Sequence, residues 1–107
     1  MKIIRNKVIP FKRFKAINLF GVLFVREEAV LSEVDINHEA IHTAQMKEML
    51  YVGFYLWYAV EWLVRLARLR NAHTAYRNVS FEREAYANQA DLAYLQQRKP
   101  WSWACYL

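Results

Sequence analysis

Cysteine is nearly missing from this chain: Cys105 stands alone among 107 residues. That excludes an internal disulfide framework and a cysteine-built zinc finger. Glycine and proline are almost as scarce, two of each, which leaves little material for linkers, collagen-like sequence or a loop-dominated β-fold. Internal repeats and low-complexity segments do not occur. The best candidate for a membrane span, Met49 to Val64, contains Glu61 and falls short of the ~20 apolar residues such a helix needs. It reads as a buried core helix, with a peripheral membrane contact as the alternative. The N-terminus, MKIIRNKVIPFKRFK, lacks an apolar segment of signal-peptide length, so a cytoplasmic location is expected, with membrane association as the alternative.

What is present points to a folded domain. Hydrophobic residues make up 56% and aromatic residues 16%, too apolar a composition for disorder. The length allows one domain, 1–107. Within it, 1–31 reads as mainly extended, 32–98 as helical and 99–107 as an aromatic tail. Lys2 to Ile9 is short and mixed before Pro10 breaks it. Ile17 to Arg26 is β-branched and aromatic, with Gly21 marking a bulge or a close backbone approach. Glu27 and Glu28 are placed to turn the chain back, giving a sheet of two or three strands.

Ser32 and Asp35 form a capping-box pattern, so a helix is expected from about Glu33 to about Lys47. Ile36, Ala40 and Ala44 at spacing four suit its buried back face, and His38, His42, Gln45 and Met49 share the opposite one. Leu50 to Leu69 follows as a long apolar helix. Its polar stripe is Glu61, Arg65 and Arg68, with Glu61 and Arg65 in the favourable order for a helical ion pair. Arg70 to His73 ends that helix. A last one is expected from Ser80 as N-cap through Arg98, until Lys99-Pro100 stops it.

His38-Glu39-Ala40-Ile41-His42 is the pattern H-E-x-x-H on a helix. Residues i and i+4 share one helical face, so both imidazoles can reach one metal ion. Glu39 lies beside such a metal rather than on it, where it can take a proton from a water and pass it to a leaving amine. With three His and eight Glu, chance alone gives the pattern in on the order of 0.6% of shuffled chains. Two histidines do not complete a catalytic zinc site, which takes three protein ligands. A third histidine at the spacing HExxHxxGxxH is missing, because Gln45 and Glu48 stand there. A second helix must supply the ligand, and Phe81 to Tyr86 is the obvious source. Glu82 and Glu84 compete for the role. They are about 200° apart around a helix, so both cannot face one metal, and acidic residues in a first turn also complement the helix dipole.

His38-Glu39-x-x-His42, followed some forty residues later by Glu-x-x-Ala on a helix, resembles the gluzincin group of zincin metallopeptidases. Its smallest members, the minigluzincins, are close to this length. The likeness runs over roughly 17–91, with motif matches at about ten positions. It implies a zincin-like α+β fold with a small N-terminal β-sheet followed by three main helices. It also implies a Zn2+ cofactor held by His38, His42 and Glu82, Ala85 at the small position, and Glu39 as the catalytic residue. Tyr86 stands where the family has an Asp that braces a zinc-binding His.

The expected function is therefore a small zinc-dependent metallopeptidase, a hydrolase of peptide or protein substrates bound extended along an edge strand. The alternative is an inactive zincin-like domain with a structural metal, binding a partner or a membrane surface through its apolar helix. His73 and Tyr76 are candidate oxyanion donors. Gln45 is placed to support the site or line its cleft. Cys105 could reach the zinc from the tail, and the tail after Pro100 is a candidate to fill the cleft and hold an enzyme latent. Basic residues cluster at Lys2, Arg5, Lys7, Lys12, Arg13 and Lys15 and again at Arg65, Arg68 and Arg70. No recognised nucleic-acid motif accompanies them, so they read as solvated faces and nucleic-acid binding is not expected.

Overall fold

The computed structural model of the chain describes residues 2–7 and 16–107. The break expected at Pro10 and the basic residues Lys12, Arg13 and Lys15 lie outside the described residues. Strands β1 (Lys2–Asn6), β2 (Ala16–Leu19) and β3 (Val22–Arg26) form one sheet in the order β1-β3-β2. Strand β3 pairs parallel to β1 and antiparallel to β2. Ile17 to Arg26 is thus a hairpin and not one bulged strand. Phe20 and Gly21 both sit at positive φ, 53° and 87°, the two-residue turn whose twist matches that of its flanking strands. The turn ends with Leu19 opposite Val22. Leu23 and Val25 of the central strand are completely buried. Asn18 then ties the sheet to the first helix, its amide donating to Glu39 O and Thr43 Oγ1, each at 3.0 Å.

Helix α1 (Glu33–Glu48) begins where the capping box places it: Ser32 Oγ accepts from Asp35 N and Asp35 Oδ2 accepts from Ser32 N. Its buried face differs from the expected one. Ile36, Ala40 and Ala44 are only half-buried, whereas Asn37, His38, Ile41, His42, Gln45 and Met46 are buried. Polar side chains take the core face because each finds a hydrogen-bond partner there. Helix α2 (Val52–Leu69) follows after Leu50 and Tyr51, consecutive non-glycine residues at φ 54° and 60°. Val52 N donates to Leu50 O at 2.7 Å. This three-residue turn is a strained one, and beyond it α2 packs against α1, with Phe54 beside His42 and Tyr55 beside Met46.

Helix α2 is not a core helix. Of its residues, only Phe54 and Glu61 are buried, because the small remainder of the molecule covers one side of it. Arg70 in a left-handed conformation ends it. Three shorter helices follow: α3 (Ala72–Asn78), α4 (Ser80–Asn88) and α5 (Tyr94–Gln97). The expected continuous helix from Ser80 to Arg98 is therefore broken after Asn88. Ser80 is its first helical residue rather than its N-cap, since Glu61 does the capping: Ser80 N and Oγ donate to its carboxylate at 2.5 and 2.6 Å.

The tail forms a 3₁₀ helix (Ser102–Tyr106) against α4. Trp103 packs on Phe81 and Trp57, with ring centroids 4.8 and 5.6 Å away. Met46, Phe54, Val79, Phe81 and Trp103 make up the core cluster. The result is a small α+β fold, a three-stranded sheet followed by five helices among the described residues. No described helix is long and apolar enough to cross a membrane.

Candidate metal centre

Helices α1 and α4 cross so that three side chains meet. His42 Nε2 lies 3.1 Å from His38 Nε2 and 3.1 Å from Glu82 Oε1, and His38 Nε2 is 3.3 Å from the same oxygen. All three residues are buried. Glu84, two positions along, points the other way. Its carboxylate accepts from Arg98, Tyr94 and Gln45, and Arg98 also pairs with Glu48 of α1. These hydrogen bonds hold Glu84 below the ordinary carboxylate range against the opposing effect of its burial.

The outer nitrogens of both rings are fixed by glutamines. His42 Nδ1 donates to Gln45 Oε1 and His38 Nδ1 to Gln89 Oε1, each at 2.8 Å. The orientation of Gln45 is settled by its own NH₂ group, which donates to Phe81 O and Glu84 Oε1. An amide oxygen only accepts, so each Nδ1 carries the hydrogen and each neutral ring turns a bare Nε2 lone pair inward. Two lone pairs and a carboxylate oxygen packed together repel unless a cation lies among them. The donor set therefore fits a metal ion, and His38, His42 and Glu82 could hold one.

In the metal-free protein a proton serves instead. Burial works against a charged His42, but Glu82 outweighs it, and the pKa of His42 is raised to about 9. Burial likewise opposes the Glu82 carboxylate, but His42, His38 and a hydrogen bond from Tyr58 hold it well below the usual range. Tyr58 Oη donates to Glu82 Oε2 at 2.8 Å, and its own pKa is pushed far up by burial and by that carboxylate.

A cleft of about 350 Å³ opens on this cluster. Its walls include His38, Glu39, His42 and Glu82, strand β2, and Tyr55, Tyr58 and Tyr76. Burial raises the pKa of Glu39, and Glu82 adds to the rise while both histidines counter it. Tyr76 keeps its proton to high pH because of burial and nearby Glu82. Its hydroxyl bonds that of Tyr86 at 2.8 Å. The Tyr86 ring meets His38 edge-on at 4.6 Å, under the Arg77 guanidinium.

Other expected residues lie elsewhere. His73 is exposed and outside the cleft lining. Cys105 is exposed, and the tail packs on the Phe81–Trp57 side instead of filling the cleft. Gln89 and Tyr58 escape sequence reasoning. Gln89 lies beyond the last turn of α4, and Tyr58 sits in an apolar run where an aromatic reads as core. Comparison with protein-family models, curated proteins and solved structures finds no match.

Proposed function

We propose that this chain is a small metallopeptidase of the gluzincin kind, with His38, His42 and Glu82 holding a zinc ion and Glu39 acting as general base. The reading is carried by Glu39. A structural metal needs donors only, whereas here a carboxylate with a raised pKa lines the same cleft as the donors. Two imidazoles and a carboxylate suit zinc and leave a position open. Bound there, zinc supplies Lewis acidity to a water and to the scissile carbonyl.

Glu39 accepts the proton of the attacking water and returns it to the leaving amine, a two-way task helped by a pKa shifted toward neutrality. Tyr76, which stays protonated, offers a donor to the developing oxyanion. Strand β2 is an edge of the sheet and one wall of the cleft, so an extended peptide can pair along it. Burial of all three donors, with Tyr58 occupying the second oxygen of Glu82, favours a second reading: a closed structural site in an inactive zincin-like module.

Elemental analysis and a peptide-cleavage assay on wild type, Glu82→Gln and Glu39→Gln separate the two. A peptidase carries about one zinc per chain, loses it in Glu82→Gln, and in Glu39→Gln keeps it while cleavage falls about a hundredfold or more. Zinc without cleavage in wild type supports the structural reading. No zinc after reloading overturns both.

A further inference from the structure

On the side of α2 away from the cleft, exposed residues recur at Val52, Leu56, Val60, Leu63 and Val64, with Ala59 and Ala67 between them. At 100° per residue these form one stripe over the whole helix. Leu56, Val60 and Leu63 are 65%, 61% and 57% exposed. Among the described residues nothing covers them. So large a contiguous apolar face marks a surface that something else covers.

The charges around the face indicate what. Between Glu48 and Glu82 the chain has a single carboxylate, Glu61, and that one is turned inward onto Ser80. Arg68 and Arg70 are exposed at one end of α2, and Lys47 is exposed beside Leu50 at the other. A second copy packed on this face would bring those cations together, and α2 offers no exposed carboxylate to receive them. The net charge of +5 adds to that repulsion. A surface that is apolar within and anionic at its boundary answers both features. The rim carries residue types that settle at such a boundary: Trp57 is half-exposed, Leu107 lies with Arg68 in the groove alongside it, and the half-exposed Trp101 lies against Trp103, which packs on Trp57. Tryptophan and arginine favour the headgroup level.

We propose that α2 lies flat in the surface of an anionic membrane, its Val52–Val64 stripe among the acyl chains and Arg68 and Arg70 at the lipid phosphates. Because Phe54, Tyr55 and Tyr58 face the cleft from the other side of the helix, docking leaves the metal cluster uncovered. The inference stands independently of the peptidase reading.

The test is vesicle flotation of the full chain. The vesicles are phosphatidylcholine alone or with about 30% phosphatidylglycerol. Sedimentation velocity without lipid runs in parallel. The protein is expected to float with the anionic vesicles, with binding weakened about tenfold between about 50 and 500 mM salt. Leu56→Glu combined with Leu63→Glu, both at exposed positions, is expected to abolish flotation while circular dichroism stays unchanged. Arg68→Glu with Arg70→Glu is expected to reduce it at least tenfold, which keeps the test informative if the first variant misfolds. A protein that ignores vesicles overturns the proposal. So does one that forms a dimer dispersed by the leucine substitutions, or one that floats equally with neutral vesicles at all salt concentrations.

Discussion

At His42 a proton and a metal ion would compete for the same nitrogen. The ring is buried, its Nδ1 is committed to Gln45, and its Nε2 faces Glu82 at 3.1 Å. With the folded pKa raised from 6.5 to about 9, the charged pair stabilises the metal-free protein fully below about pH 6.5, and this contribution is lost as pH rises through about 9. The melting temperature of chelator-treated protein is accordingly expected to fall over that interval, and Glu82→Gln is expected to flatten the profile. Metal binding has the opposite sign, since the proton must leave first. Competitive zinc titrations should show affinity rising with pH by up to about tenfold per unit until His42 is neutral. An affinity independent of pH between 6.5 and 9 would remove His42 from the ligand set.

Among the elements, α4 owes its start to a residue of α2. Glu61 accepts from Ser80 N, Ser80 Oγ and Trp57 Nε1, with Arg65 at 3.7 Å. Glu61→Gln replaces a charged acceptor at a helix N-terminus by a neutral amide, and a loss of about 1–3 kcal/mol is expected in urea unfolding. The sequence shows Glu61 only as part of a polar stripe, because its partner lies on another helix. That limit recurs across the fold. The Ser32 cap and the H-E-x-x-H spacing are local, depending on residues three or four apart, and the sequence displays them openly. The buried face of α1 is not legible that way. Gln45, expected beside the site, and Asn37, which nothing in the sequence singles out, are core residues because Glu84, Phe81 and the 88–91 backbone come to meet them. The course of 80–98 is obscured for a similar reason. Asn37 accepts no helix there, its amide drawing in the carbonyls of Gln89 and Asp91, so the chain turns where composition alone permits a helix.

The C-terminal end of the molecule is tied down by hydrogen bonds from Arg83 and Asn88 to Tyr106, by an ion-pair bridge and by an aromatic contact. Arg98 bridges Glu48 of α1 to Glu84 of α4, and Trp103 closes the core over Phe81. Deletion of residues 100–107 strips that cover and is expected to cost about 3 kcal/mol or more, the scale of losing a buried Trp. Thermal unfolding is the measurement. A deletion that instead raises peptide cleavage at unchanged stability would restore the tail as an inhibitor of the cleft. The metal cluster has a further consequence at this scale. His42 and Glu82 are 40 positions apart in the chain, so their meeting point exists only once the middle of the protein has folded. An ion that binds there and not to the unfolded chain adds stability by mass action, about 2.7 kcal/mol at a hundredfold excess over its dissociation constant. In a protein that leaves one whole side of α2 outside its core, free metal would then help set the folded fraction, making persistence of the chain a readout of metal supply.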